Sequence, residues 1–478
     1  MTTRAHSLSL SILVCVIAAA MPASAYAQDY QEEVMEKLYA KLTRSPGIGT
    51  GAAGKSILIL ANPGIPIDSS LDPDTSQDDR RVISRVLDHV PGPGWIYQEM
   101  PYGLSQVYDA ILQYRQVPTF TMSTEDARAL QGANAVLFKN ASPAQGDSAK
   151  VKAYKLRQAA YYDAVNAAES HRTAGGSVPQ QYLHTKQLAL QAWISAGYKD
   201  EVEQALAQRT RLGALDPNIW FEDLANTFAA ARESPGTPNE FEPVRLVPSL
   251  RSWSQLNWTA ITLSSDEIHS SAAVSPSVPR PPTLKIIGRS MGAQFKFGAF
   301  AGGFSESTDT GGSPAPAQPS PKPTTPISGV TLEVLRVGLD RTWLNGLVFS
   351  SKLWRWTPNT PLASNLISDG ATPPGSVTKD ILMPYVPTAI LISRNVRLAG
   401  SFAESDVESL KLHASGGATV SIGPFTIGGR YQEDPSKPNA TVDVDQKAIS
   451  IPGYQIIGWY CEVLPKLPDP DLADYQWP

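Results

Sequence analysis

Ile57-Leu58-Ile59-Leu60-Ala61, closed by Asn62-Pro63-Gly64, is the stretch on which the architecture turns. A short unbroken apolar run ended by turn residues reads as a buried strand. It stands alone in a half of the chain that otherwise patterns as helix, and a lone strand needs partners. If it joins a sheet made by the C-terminal half, the helices between are an insertion into one β-rich domain. If it does not, the two halves are separate domains. The sequence leaves both arrangements open.

Outward from this strand, helical patterns dominate as far as about residue 232. Gln31 to Leu42 is a short amphipathic helix with Val34, Leu38 and Leu42 four apart, stopped by Ser45-Pro46-Gly47. Gln77 to Val90 and Ser105 to Tyr114 repeat the pattern, and Ser123 to Asn134 follows, capped by Ser123 or Thr124 ahead of Glu125 and Asp126. The clearest periodicity comes next. Ala149 to His171 places Val151, Tyr154, Tyr161, Val165 and Ala168 on one side. Gln180 to Arg209 runs as a second long helix with Leu183, Leu190, Ile194, Tyr198, Val202 and Leu206 as its stripe. The Gly/Pro turn Thr173 to Pro179 makes these two an antiparallel hairpin. Asp216-Pro217 opens a third helix, acid before proline as a helix start prefers.

From Val244 onward short alternating runs replace the helical period: Leu256–Leu263, Leu284–Ile287, Gln294–Ala301, Val330–Leu339, Ala389–Leu398, Ala418–Ile427, Thr441–Val444 and Gln455–Val463. The expected class is therefore α+β, with an antiparallel, sandwich-like C-terminal half and a long helical hairpin in the N-terminal half. Its expected regions are a mixed helical and strand part over 28–147, the hairpin over 148–235 and a β-rich domain over 240–478. The stretch 305–326 is almost all Ser, Thr, Pro, Gly and Ala, and reads as a disordered linker within that domain.

The first 27 residues have the layout of a secretory signal: basic Arg4, an apolar run from Leu8 to Met21, then Pro22 and small residues. Ala25-Tyr26-Ala27 fits the cleavage rule and puts the mature start at Gln28, with Ala23-Ser24-Ala25 a second cut. The apolar run is too short for an uncleaved anchor, and no later run reaches transmembrane length. The expected location is periplasmic or secreted.

Composition narrows the function. The full chain carries a formal charge of −5, and cleavage removes Arg4 but no acid, so nothing draws it to nucleic acid. Only Cys461 survives maturation, so no intramolecular disulfide forms, and its apolar setting Ile456-Ile457-Gly458-Trp459-Tyr460 marks a buried inert thiol. The five mature histidines share no metal-ligand spacing, and no cofactor is expected. Asn140, Asn257 and Asn439 head glycosylation sequons, relevant only in a eukaryotic host.

Several stretches spell catalytic or binding motifs. Gly49-Thr50-Gly51-Ala52-Ala53-Gly54-Lys55-Ser56 matches the phosphate-loop letters, but a phosphate loop follows a strand and opens a helix, whereas here the strand follows. It reads as a Gly/Ala linker. Asp72, Asp74 and Asp78 alternate as calcium ligands do, without the bidentate acid at the twelfth position; the competing reading is a cap by Thr75 or Ser76 on the helix from Gln77. Trp343, Trp354 and Trp356, interleaved with Arg341, Lys352 and Arg355, would make a stacking platform for sugar or lipid headgroups. The competing reading packs the indoles in the core and leaves the cations solvated.

Gly288-Arg289-Ser290-Met291-Gly292, preceded by Leu284 to Ile287, resembles the nucleophile elbow of the α/β-hydrolases over about ten residues. The resemblance implies Ser290 as nucleophile, His413 as base and Asp380 or Asp406 to orient it. That family runs its elbow into a helix. Here Ala293 to Gly303 alternates like a strand, which makes Ser290 a turn residue. The preferred expectation is a non-enzymatic exported protein that binds a protein, glycan or lipid partner, with the serine hydrolase as the alternative. A lesser alternative is a membrane-interacting or pore-forming protein that refolds Gln294 to Phe304 as a membrane hairpin.

Overall fold

The computed structural model describes residues 23–48, 56–92, 100–170, 177–234, 240–268, 293–297, 304–308, 327–370, 381–402, 404, 407–408, 410–411, 419–427, 443–470 and 475–478. The helices are α1 (Ala23–Arg44), α2 (Gln77–Asp88), α3 (Leu104–Tyr114), α4 (Thr124–Leu137), α5 (Ala149–Ser170), α6 (Gln180–Ala196), α7 (Lys199–Gly213), α8 (Pro217–Ala231) and α9 (Ser265–Ile268). The first eight strands are β1 (Ser56–Ile67), β2 (Arg115–Gln116), β3 (Arg245–Val247), β4 (Thr259–Leu263), β5 (Ala293–Phe297), β6 (Phe304–Thr308), β7 (Ile327–Asp340) and β8 (Arg355–Trp356). The rest are β9 (Ser368–Asp369), β10 (Tyr385–Gly400), β11 (Thr419–Ile422), β12 (Phe425–Ile427), β13 (Asp443–Val444), β14 (Ala448–Ile451), β15 (Tyr454–Val463) and β16 (Lys466–Leu467).

The fold is α+β, and its centre is an antiparallel sheet arranged around β10. One edge of β10 bonds β15 through residues 385–393 and β14 through 396–399; the other bonds β7 through 389–400. The outer edge of β7 carries β4 and β3, and β15 carries β1, with Ile57 opposite Cys461 and Ile59 opposite Trp459. The apolar run at residue 57 thus finds its partner almost at the other end of the chain, and α2 to α8 lie between β1 and β3 as an insertion.

Alternation along these strands sorts side chains to two faces. Leu58, Leu60, Leu391 and Leu398 pack with Val34, Met35, Leu38 and Leu42 of α1 and with Phe425 and Ile427 of β12. Ile59, Ile390, Ile392 and Trp459 pack on the other face with Ile83, Val86 and Leu87 of α2 and with Trp253. Burying each such side chain contributes about 1.5–3 kcal/mol relative to exposure, so the four from α1 hold that helix to the sheet.

A second, four-stranded sheet runs β12-β11-β6-β5. A three-residue clasp ties it to the large one. The buried Gln455 side chain accepts from the Thr426 backbone N–H at 2.8 Å and donates to the Thr426 carbonyl at 2.7 Å, filling the place of a ladder partner. The Thr426 hydroxyl donates to the Gly64 carbonyl at 2.6 Å. Gly64 is required there, because a Cβ would sit 2.2 Å from the Pro424 carbonyl oxygen.

Three local expectations are corrected. The helix expected over 180–209 is two helices: it breaks at Gly197, where a Cβ would come 2.5 Å from the Trp193 carbonyl oxygen, and at Tyr198, which takes φ +52. The strand expected over 418–427 is a hairpin of β11 and β12 turning at Gly423, φ +54. Residues 305–308, read as the start of a linker, form most of β6, paired with β5 and β11.

Candidate functional site

The insertion contains its own core. Val151 and Tyr154 of α5, Trp193 of α6, Val202 and Ala205 of α7, and Ala133 and Leu137 of α4 form one buried cluster. Trp193 is its keystone: the rings of Tyr154, Tyr161 and Tyr162 lie 5.3, 5.5 and 6.2 Å from it, and the Lys199 ammonium sits 5.2 Å above it. Lys199 also pairs with Glu203 at 2.6 Å, and the Tyr154 hydroxyl donates to Glu203 at 3.1 Å. Burial, reinforced by Glu203, pushes the Tyr154 phenol up to about 12, and Lys199 draws the Glu203 carboxyl below its ordinary range.

A buried arginine bolts this unit to α8. Arg209 donates to Asp223 at 2.6 Å and to Glu222 at 2.7 Å, and lies 5.0 Å over the Phe138 ring. Removing one partner of such a buried pair leaves an uncompensated charge, so the set holds α4, α7 and α8 in fixed relation.

The outer side contrasts with this packed interior. Of the twelve exposed large hydrophobics among the described residues, eight fall between Leu156 and Leu215: Leu156, Tyr162, Leu183, Leu188, Ile194, Tyr198, Leu206 and Leu215. Leu156 is 68% exposed, Leu188 52% and Leu206 45%. Scattered single apolar residues are ordinary on a surface, but this concentration is not: six of the eight lie on α5, α6 and α7, and Tyr198 and Leu215 flank α7. It overturns part of the expected inner stripe: Leu183, Ile194, Tyr198 and Leu206 face outward, and from that stripe only Val202 is fully buried. The break at Gly197–Tyr198 splits the stripe, and of its members only Leu190 and Val202 pack against the core.

The other candidate residues distribute as follows. Trp343, Trp354 and Trp356 are buried in the cluster between α3, α8 and the end of the sheet, with indole N–H groups donating to the carbonyls of Pro243, Val348 and Asn365. Buried rings offer no stacking face, so the platform reading fails. Arg341 is not solvated either. It is buried and donates to the carbonyls of Pro387 at 2.6 Å and Leu87 at 3.0 Å, joining α2 to β10. Burial pulls its guanidinium down to about 10, which leaves it charged at neutral pH. Arg355 is half-buried and lies 4.9 Å over the Trp477 ring.

The acidic loop is occupied by local work. Asp72 accepts from Thr75 and Arg251, Asp74 from Ser249, and Asp78 pairs with Arg81 at 3.2 Å. Ser76 caps α2, its side chain accepting from the Asp79 N–H. Among the described residues no group of three His, Cys, Asp or Glu is placed to hold a metal ion, and no helix is long and apolar enough to cross a membrane. Cys461 is buried and free, its thiol pushed upward by burial.

Ser290, Asp380, Asp406 and His413 lie outside the described residues, as do residues 1–22 of the signal and residues 49–55 of the phosphate-loop spelling. Ser56, the last letter of that spelling, opens β1. Ala293–Phe297, where an elbow would continue as helix, is the strand β5. No family model, no curated protein and no solved structure matches this chain.

Proposed function

We propose that the protein is an exported, non-enzymatic binding protein that meets its partner through the outer face of α5, α6 and α7. The observation that carries this reading is the concentration of exposed leucine, isoleucine and tyrosine on and beside these three helices. Such a surface gains by being covered, at about 25 cal/mol per Å² of apolar area removed from water. Aliphatic side chains suit a protein surface better than a glycan, which wants open aromatic faces. The strand at Ala293–Phe297 supports the turn reading of Ser290 over the nucleophile elbow.

The test is photo-crosslinking in the producing cells, with a photoreactive residue at Leu188 or, as a still more exposed control, at Leu347. A discrete protein adduct at Leu188 and none at Leu347 supports the reading. Adducts at neither, or at both alike, refute it. Flotation with anionic vesicles identifies a lipid partner instead, and labelling of Ser290 by a fluorophosphonate would restore the hydrolase.

A further inference from the structure

Residues 475–478 lie alongside residues 116–120 and are held by contacts to them and to Arg355. The Thr119 N–H donates to the Gln476 carbonyl at 2.8 Å. The Tyr475 ring sits 5.7 Å from that of Phe120, and the Arg355 guanidinium lies 4.9 Å over the Trp477 ring. The Pro478 carbonyl accepts from both Gln116 Nε2 and Arg355 Nη2, each at 3.1 Å.

The receiving surface is built in advance. β2 and β8 pair Gln116 directly with Arg355, and Arg355 Nε donates to Gln116 Oε1 at 2.7 Å, so each side chain orients the other toward the tail. Trp356 of β8 is buried against Trp354 in the cluster beneath, which anchors the ribbon. The division of labour is that of a peptide-recognition site: main-chain hydrogen bonding gives attachment, ring contacts at alternate positions give selectivity, and the residue between is read only through its backbone.

We propose that the β2–β8 ribbon is a peptide-binding groove whose resident ligand is the chain's own Tyr475–Pro478, and that an extended peptide of the same chemistry (aromatic, any residue, tryptophan, proline) competes for it. The contacts are half-buried or exposed, so the tail is held weakly and reversibly. A tethered segment competes at an effective concentration on the order of millimolar. The groove therefore answers to an outside peptide only when the tail is weakened or the peptide is abundant. This proposal is independent of the helical face.

The test uses the full-length protein and a fluorescein-labelled Tyr-Gln-Trp-Pro peptide ending in an amide, followed by fluorescence anisotropy. With the tail weakened by Tyr475→Ala and Trp477→Ala together, the peptide binds at least about tenfold more tightly than to wild type, because self-competition is gone. Adding Arg355→Gln or, separately, Phe120→Ala lowers that affinity by about tenfold, as expected for removing a cation–π or an aromatic contact. Replacing the peptide's glutamine by serine changes little; replacing its tryptophan by alanine abolishes binding. No binding to a tail-weakened protein that keeps the wild-type circular dichroism spectrum overturns the proposal. Affinity indifferent to the tail, to Arg355 and to Phe120 overturns it equally.

Discussion

Replacing Gln455 by glutamate converts the clasp between the two sheets into a pH-dependent one. The Gln455 amide both accepts from the Thr426 N–H and donates to the Thr426 carbonyl, at 2.8 and 2.7 Å in a fully buried setting. A protonated carboxyl group can do the same, its O–H taking the place of the amide N–H. An ionised one cannot: it loses the donor, sets an oxygen against the Thr426 carbonyl and brings a charge into the core. The folded-state pKa of Gln455→Glu is therefore raised above the ordinary glutamate value. A group with a raised folded pKa contributes its full stability below the unfolded pKa and loses it as pH rises toward the folded one. The variant should match wild type below about pH 4.3 and then fall behind by about 1.4 kcal/mol per pH unit, to about 3.7 kcal/mol at pH 7 if its folded pKa lies above that. Gln455→Leu is the control: it strands both Thr426 backbone groups at a cost of about 1–3 kcal/mol each, at every pH. Urea unfolding of the three proteins at a series of pH values reads the differences directly. A Gln455→Glu deficit that does not change with pH refutes the paired-amide geometry, as does full stability of that variant at neutral pH.

Arg341→Met removes both donors to Pro387 and Leu87 and should cost about 2–4 kcal/mol in urea unfolding, while Arg341→Lys, which keeps one donor and the charge, should cost less. Equal stability of all three would show that the arginine does not hold α2 to the sheet. Ser76→Ala removes the cap accepting from Asp79 and should cost about 1 kcal/mol, measured the same way, whereas Ser76→Asp should be nearly neutral. Cys461 should resist iodoacetamide in the native protein and react fully in denaturant, since burial both blocks access and raises its thiol pKa; rapid native labelling would contradict its placement opposite Ile57.

What the sequence disclosed and what it withheld divide along a physical line. Local signals were legible wherever one residue type has one local job: Ser76 and Asp216 cap their helices, and Asp216-Pro217 starts α8. Long-range pairing was not, because a strand's hydrogen-bonding edge is the same backbone in every sequence. Ile57 to Ala61 could be read as a strand but not as the neighbour of residues some four hundred positions away.

The candidate sites failed in an instructive way. Periodicity reports that apolar residues share a face and is silent on whether anything covers it. The apolar positions from Leu183 to Leu206 were therefore readable, while the break at Gly197 and the exposure of Leu183, Ile194, Tyr198 and Leu206 were not. The converse holds for the tryptophans: clustered with arginines they resemble a binding surface, yet each indole N–H finds a carbonyl inside the protein and nothing remains to offer a ligand. Arg341 shows why the cations between them could not be sorted either. Its burial depends on carbonyls from α2 and β10, which are 254 and 46 residues away in the chain, and no property of its neighbours in sequence encodes them. What a fold covers and what it leaves exposed is thus decided by contacts that exist only once the chain has closed on itself.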